Sequence, residues 1–205
     1  KVSAAAKITP NLVGSPGQIH IQASAIGLDA NLADLEDDHP LAEAVRIALE
    51  AIDPGQIPAF NLQVDSEIPI SAGMGSSAAV SVAIIRAVSA FLGNPLSPEN
   101  ISEMAYEVEK RHHGTPSGID NNVIAHQQPV FFIKDQPIRF LKIERATHWM
   151  IADTGEKTPT RETVSAVRAL HAADSQRFGT IFRQISEITE QAEKALIKGD
   201  LSALG

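Results

Sequence analysis

Residues 69–79, with the sequence PISAGMGSSAA, place two glycines and two adjacent serines directly before a long apolar stretch that predicts a helix over residues 76–92. The first N–H groups of a helix have no partner within it and lie at the positive end of its dipole. Gly73 and Gly75 let the backbone come close to a bound group, so the run predicts an anion site with phosphate as its natural ligand. The alternative interpretation is a tight strand-to-helix turn capped by a serine.

Composition narrows the classes of protein to which the chain can belong. With 205 residues, 43% of them hydrophobic, it can bury a core in one large or two small domains. A net charge of −8 argues against general nucleic-acid binding, so local donors must hold an anionic ligand. No apolar run approaches the roughly 20 residues that span a bilayer, and the absence of cysteine excludes disulfides and thiolate catalysis. We therefore expect a cytoplasmic globular protein with no nucleic-acid or membrane partner.

The spacing of apolar residues predicts a strand-rich N-terminal part in which helices lie between and after the strands. Strands are predicted over residues 2–8, 18–26, 60–64, 129–133, 138–143 and 147–153. Helices are predicted over residues 40–52, 76–92, 97–112, 160–173 and 175–198, with a further helix starting in residues 115–118. Because strands and helices do not alternate strictly, this order favours an α+β fold over a doubly wound sheet.

The glycine loop also fits part of a dinucleotide-binding pattern. Gly73, Gly75 and Ala78 match G-x-G-x-x-G/A after a predicted strand. A dinucleotide site needs a second strand after the helix that ends in an acidic residue, whereas residues 95–98 lead into another helix. Dinucleotide binding is therefore disfavoured, and a Walker-type loop is excluded because the sequence contains no G-x-x-x-x-G-K-[ST].

A second polar segment, residues 109–121 (EKRHHGTPSGIDN), begins on the helix predicted over residues 97–112. A rotation of about 100° per residue places Glu109 at the edge of that helix's apolar stripe. Three charged neighbours point away from the stripe: Glu103, Glu107 and Lys110. Glu109 could hold a partner or be an ordinary half-exposed glutamate. Asp120 falls in the first turns of the next helix, where the dipole favours an ionised carboxylate, and simple stabilisation of the helix end is the alternative.

Together the two segments contain the groups that phosphoryl transfer requires, provided that they meet in space. These groups are donors for phosphate oxygens, a carboxylate and a hydroxyl for Mg²⁺, and an aspartate for the acceptor. Residues 69–79 resemble the phosphate-binding motif of the GHMP small-molecule kinases, and residues 113–121 are similar to the matching segment of the mevalonate kinase subfamily. Residues 153–155 and 158–164 resemble the start of that subfamily's second domain. Residues 153–155 have the sequence Asp-Thr-Gly, which also occurs in aspartic proteases. Those enzymes need a second such aspartate and a mostly β chain, so this alternative is disfavoured.

The resemblance implies a two-domain α+β fold. A ribosomal-protein-S5-like domain would occupy residues 1–145, and an incomplete ferredoxin-like domain would occupy residues 146–205. The loop that wraps the ATP phosphates would consist of Gly73, Met74, Gly75, Ser76, Ser77 and Ala78. The Mg²⁺ ligands would be Ser77 and Glu109, and Asp120 would be the base that acts on the acceptor hydroxyl. Three further residues would lie near the substrate: His113, Ser117 and Thr160.

The implied activity is ATP- and Mg²⁺-dependent phosphorylation of the primary hydroxyl of mevalonate to 5-phosphomevalonate, a step of isoprenoid precursor synthesis. Other members of the family act on phosphomevalonate, homoserine or galactose, and these substrates remain alternatives. A non-catalytic nucleotide-binding module is a further alternative. The family suggests a homodimer.

The sequence departs from the family pattern at three places. The family opens with a strand that carries a catalytic lysine and closes with a second glycine-rich loop, and the sequence shows neither. Lys1 and Lys7 lie in a strand pattern that corresponds to the part of the family fold after the lysine-bearing strand. Neither is therefore assigned the catalytic role. Met74 stands where a leucine is common. We therefore expect an internal portion of a longer kinase, catalytically impaired by itself.

Two further polar clusters receive structural interpretations. Adjacent side chains on a helix diverge, so His112 and His113 favour a role at the helix C-terminus over a metal site. The acidic run over residues 34–38 is interpreted as a solvated loop. This acidic run is assigned no function.

Overall fold

The computed structural model describes residues 2–69, 72–113, 115–143, 145, 148–152 and 160–204. The chain forms two compact units, Lys1–His126 and Gln127–Gly205, which we describe separately. The domain boundary predicted near residue 145 stays a prediction. Within the described ranges, every helix is too short or too polar to cross a membrane.

A four-stranded mixed sheet forms one layer of the first unit. Its strands are β1 (Ala4–Pro10), β2 (Ile19–Ala23), β3 (Leu28–Asn31) and β4 (Phe60–Ser66). They lie in the order β1-β4-β2-β3. β4 pairs antiparallel with β1 and parallel with β2, and β2 pairs antiparallel with β3. Because successive strand residues face opposite sides, Phe60, Leu62 and Val64 of β4 all enter the core from one face.

In the part of the first unit that the structure describes, four α-helices accompany the sheet: α1 (Pro40–Ile52), α2 (Ser76–Phe91), α3 (Pro98–His113) and α4 (Ile119–His126). α2 packs against α1, α3, α4 and β1, and its apolar residues, including Val82, Ile85 and Val88, are buried. A helix that is apolar on most of its faces must be covered on most of them, which places α2 at the centre of the unit.

Local signals in the sequence set several helix ends as predicted. The Ser97 hydroxyl oxygen accepts a hydrogen bond from the Asn100 N–H at 3.3 Å at the start of α3. Asp53 adopts a left-handed conformation, with φ of 46°, at the end of α1. Residues 92–97, all of which the structure describes, form no strand between α2 and α3. The chain therefore lacks, at this point, the strand that a dinucleotide-binding unit needs.

The described residues of the second unit form two short strands and three helices: β5 (Val130–Phe131), β6 (Arg139–Phe140), α5 (Thr160–Ala173), α6 (Ser175–Lys198) and α7 (Leu201–Leu204). The Asp174 carboxylate caps α6 by accepting a hydrogen bond from the Arg177 N–H at 3.0 Å. Arg139 of β6 forms an ion pair of 2.9 Å with Glu193 of α6. This pair ties the two-stranded sheet to the long helix.

Several strand predictions were wrong in extent. The strand predicted over residues 18–26 ends at Ala23, because Gly27, with φ of 65°, follows a 3-10 turn that reverses the chain. The reversal creates β3, which the sequence analysis missed. The strands predicted over residues 129–133 and 138–143 shorten to the two residues each of β5 and β6. Residues 148–152 form no strand, and the other ends of that prediction, 147 and 153, lie outside the described residues.

The acidic run over residues 34–38 is not wholly a loop. Asp34 belongs to a 3-10 turn over Leu32–Asp34, in which the Asn31 side-chain amide donates to the Asp34 carboxylate at 3.0 Å. Such local bonds offer the backbone a turn where sequence polarity alone predicts only a loop.

Candidate functional site

The glycine loop turns the chain into α2 through two left-handed residues. Gly73 and Gly75 both have φ of 68°. Gly75 is the N-cap residue, and its carbonyl accepts the first helical hydrogen bond from the Ala79 N–H at 2.9 Å. The next N–H groups, those of residues 76–78, therefore have no acceptor within the helix. A short loop with these groups at its end is suited to bind an anion.

The two serines of the loop leave the cap position to glycine. The Ser76 hydroxyl donates to the Ile68 carbonyl at 3.5 Å, back toward the strand. Ser76, Ser77 and Met74 are half-buried. The serine-capped turn that was the alternative interpretation is therefore wrong, because Gly75 occupies the cap and has no side chain.

The two motifs meet where α4 begins against the glycine loop. Asp120 lies in the first turn of α4 and is exposed. A Cβ atom added at Gly75 would lie 3.3 Å from the Asp120 Cγ and 3.6 Å from its Oδ1. α4 packs directly on α2, the helix that the glycine loop starts. The requirement that the loop and the second segment meet is thus satisfied by Gly75 and Asp120.

Glu109, predicted at the edge of the apolar stripe of α3, is buried, so the alternative of an ordinary half-exposed glutamate is wrong. Its exposed fraction is 8%, whereas Glu103 and Glu107 are exposed and Lys110 pairs with Glu107 at 2.6 Å. Buried carboxylates in proteins are paired or bind cations. α3 packs against α2, so Glu109 and Ser77, the two predicted Mg²⁺ ligands, lie on adjoining helices. An ionised carboxylate and a hydroxyl are oxygen donors of the type that Mg²⁺ binds.

Of the three residues predicted near the substrate, the structure describes the side chain of Ser117 alone. Ser117 is exposed, and its hydroxyl oxygen accepts a hydrogen bond from the Ile119 N–H at 3.3 Å at the start of α4. This bond leaves the Ser117 hydroxyl proton available to another acceptor, in the same turn region as Asp120. His113 ends α3 and Thr160 begins α5. Their side chains lie outside the described part of the chain, so their positions near a substrate stay predictions.

Glu43 of α1 is a buried carboxylate that the sequence analysis did not single out. Its exposed fraction is 1%. One carboxylate oxygen lies 2.6 Å from Nη1 of Arg111, and the other lies 2.9 Å from Nε2 of His112. His112 thus also bonds to a neighbouring helix, and the predicted role at the C-terminus of its own helix stays a prediction. The only sequence signal is a single charge among the apolar residues of LAEAV, residues 41–45.

Glu43→Ala is expected to lower the free energy of unfolding by about 1–3 kcal/mol, because it leaves the His112 ring without its buried partner. Arg111 adds little to this loss, since its side chain is 64% exposed and water solvates the released charge. Urea denaturation of the full-length protein measures the change. Glu50→Ala, an exposed acid on the same helix, is the control and should stay within about 0.5 kcal/mol of wild type. Equal stability of the two variants would contradict the structural role of Glu43.

Comparisons with known proteins agree with these motifs. The GHMP kinases N terminal domain matches residues 40–127, which include the glycine loop, Glu109 and Asp120. The mevalonate kinase of Pyrococcus furiosus is 32% identical over 157 residues, which cover 76% of this chain and 46% of that protein. The mevalonate kinase of Aeropyrum pernix is 35% identical over 143 residues, covering 69% of this chain and 44% of that protein. The chain therefore spans less than half the length of these two relatives.

The fold is also that of known kinases. The crystal structure of L. major mevalonate kinase in complex with R-mevalonate superposes with a TM-score of 0.69 at 23% sequence identity, covering 100% of this chain and 62% of that one. At this identity the likeness concerns the fold, and it confirms the predicted α+β kinase architecture. The matched domain, the two relatives and the shared fold lead to one conclusion: the chain belongs to the GHMP kinase family.

Proposed function

We propose that this protein transfers the γ-phosphoryl group of ATP to the primary hydroxyl of mevalonate and so forms 5-phosphomevalonate. The observation that carries the proposal is the position of the exposed Asp120 carboxylate, whose Cγ lies 3.3 Å from the site of a Cβ at Gly75 in the glycine loop. Two like charges about 4 Å apart repel by about 1 kcal/mol in water and by about 4 kcal/mol at an effective dielectric constant of 20. A carboxylate beside a loop that binds phosphate therefore needs a nearby cation or proton donor to offset this repulsion. In a kinase site Mg²⁺ is the cation and the acceptor hydroxyl is the proton donor.

Asp120 is suited to act on the acceptor hydroxyl. In the transfer, the hydroxyl oxygen forms a bond to the γ-phosphorus, the bond from that phosphorus to the bridging oxygen breaks, and ADP leaves. The hydroxyl proton passes to the Asp120 carboxylate. Because the transition state is loose, position and charge neutralisation contribute more than base strength, so a carboxylate of ordinary basicity is sufficient.

The proposed nucleotide and metal ligands follow from the same arrangement. The backbone N–H groups at the start of α2 would hold the phosphate oxygens, with Gly73 to Ala78 wrapping them. Ser77 and Glu109 would hold Mg²⁺, which supplies charge neutralisation at the phosphates when bound. The packing of α2 on α3 and the burial of Glu109 support this assignment.

Mevalonate is the proposed acceptor because the two relatives described above are mevalonate kinases. The likeness to a mevalonate kinase solved with R-mevalonate supports the same substrate class. We place His113, Ser117 and Thr160 near that substrate, and the reaction in isoprenoid precursor synthesis.

A panel of alcohols tests the proposal. The full-length protein is incubated with Mg²⁺ and ATP and with mevalonate, phosphomevalonate, homoserine or galactose, and ADP formation is followed by a coupled assay. We expect the highest kcat/KM with mevalonate and loss of turnover when EDTA removes the metal. A preference for another alcohol would replace the substrate, and nucleotide binding without turnover of any alcohol would indicate a non-catalytic module.

A further inference from the structure

A polar network anchors the start of α4 on α3, and the chemistry proposed above does not use it. The side-chain amide of Asn121 donates to the Ser102 carbonyl at 3.0 Å and to the Ser102 hydroxyl oxygen at 2.9 Å. The Ser102 hydroxyl in turn donates to the Asn122 side-chain carbonyl at 2.8 Å. The Asn122 amide closes the network by donating to the Gly118 carbonyl at 2.6 Å. Both N–H groups of the Asn121 amide are therefore satisfied by a single residue of α3.

Because this network is buried, it strongly restricts how α4 can pack on α3. Asn121 and Ser102 are each 3% exposed. Buried polar groups that all have partners specify one arrangement, since any displacement leaves a donor or acceptor without its bond. The start of α4 is thus held to α3 in one register.

The other end of α4 is held by α2. A guanidinium N–H of Arg86 donates to the Ala125 carbonyl in the last turn of α4. Burial lowers the pKa of Arg86, but from so high a value that the side chain stays charged at neutral pH. A cation at this position also complements the negative end of the helix dipole. α2, which begins at the glycine loop, therefore holds the C-terminal end of α4, the helix that carries Asp120.

These contacts matter because α4 has 8 residues. A helix of about two turns is not stable by itself in water, so tertiary contacts must set its orientation. Asn121 follows Asp120 directly, and neighbouring side chains diverge by about 100° around a helix. With the Asn121 amide buried against α3, the Asp120 side chain lies on the side of the glycine loop. The Asp120 Cβ is 3.5 Å from the position that a Cβ at Gly75 would occupy.

We infer that Asn121 is a positioning residue for the Asp120 carboxylate, with Ser102 and Arg86 holding the same helix from α3 and α2. The inference rests on the proposed function, because it concerns the group that acts on the acceptor hydroxyl. A shift of about 1 Å in a reacting group can lower the rate about 100-fold even when substrates still bind.

The test compares three substitutions in the full-length protein: Asn121→Ser, Ser102→Ala and Arg86→Met. Asn121→Ser is expected to lower kcat about 10- to 100-fold and to leave the KM values for ATP and mevalonate within about twofold, because the glycine loop is unchanged. Ser102→Ala removes one of the two acceptors for Asn121 and keeps the carbonyl, so its loss of kcat is smaller. Arg86→Met keeps the apolar stem and tests the other end of α4.

Two further measurements separate positioning from unfolding. Titration with ATP should give a Kd within about twofold of wild type, since binding to the loop does not need the α3 contact. Amide hydrogen exchange should speed up in α4 and stay unchanged in α2, as expected for local release of one short helix. Asn61→Ser, on the exposed side of β4, is the matched control and should leave kcat and exchange in α4 as in wild type.

The outcomes distinguish the inference from the proposed function. Unchanged kcat in both Asn121→Ser and Ser102→Ala, with an active wild type, would overturn the positioning role alone. A parallel loss of kcat and ATP affinity would also overturn it, because general loosening of the unit would then explain both. If wild type phosphorylated none of the four alcohols, the proposed function would fail and the inference with it.

Discussion

Asp120→Asn is expected to lower kcat by a factor of about 10² to 10⁴, because the amide cannot take the proton that the acceptor hydroxyl loses. The substitution preserves shape, so the side chain keeps its place beside Gly75. Nucleotide affinity should be equal to or higher than that of wild type, since a negative charge next to the phosphates is removed. Steady-state kinetics with mevalonate and titration with ATP measure the two quantities.

Asp65→Asn is the matched control for this substitution. Asp65 is an exposed aspartate on β4 that accepts a hydrogen bond from the Gln63 side chain at 2.9 Å. It lies outside the proposed site, and its replacement should leave kcat and ATP affinity as in wild type. Turnover of Asp120→Asn within threefold of wild type would show that the carboxylate is not the base.

Gly75→Ala is expected to lower kcat about 100-fold and to weaken ATP binding, for two separate reasons. Alanine at φ of 68° adopts a left-handed conformation, which costs about 1–2 kcal/mol. In addition, the new methyl group would lie 3.3 Å from the Asp120 Cγ, so the carboxylate or the loop must move by a few tenths of an ångström. A displaced loop and a displaced carboxylate together misalign the transfer.

Gly27→Ala separates these two effects. Gly27 has almost the same backbone conformation, with φ of 65°, and a Cβ added there meets no atom within 4 Å. This variant should lose about 1–2 kcal/mol of stability from backbone strain and keep normal kcat and ATP affinity. If Gly75→Ala behaved like Gly27→Ala in all three measurements, the contact between Gly75 and Asp120 would have no functional importance.

Helix ends and helix faces were predictable because they depend on neighbouring residues. Pro98 after Ser97 indicates where α3 begins, and the Ser97 cap forms as expected. The rotation per residue placed Glu109 at the edge of the apolar stripe of the same helix, and packing in the structure buries it there. Such features follow from bonds and angles within one or two turns, and these are the same in most tertiary contexts.

Strands were less predictable because a strand needs a partner. β3 contains only four residues, LDAN, without a strong apolar alternation. It forms because the turn at Gly27 brings it back onto β2, where four residue pairs bond. The apolar runs that end as β5 and β6 show the reverse case, since their paired register covers two residues of each, with one further bond from the Leu141 N–H to the Pro129 carbonyl. Ladder bonds between strands, and not the run itself, set their length.

By itself the sequence determined which segments are proposed to carry the chemistry: a glycine loop before an apolar helix, a glutamate at the edge of a buried face and an aspartate at a helix start. Only the tertiary structure decided that Asp120 lies against Gly75. It also decided that Glu43 bonds to His112 and that Asn121 bonds to Ser102. These contacts join residues far apart in the chain, and they exist because α1, α3 and α4 all pack around α2. The physical reason is that a buried polar group needs a hydrogen-bond partner. Which partner it bonds to depends on the elements packed beside it, and a local sequence pattern does not contain that information.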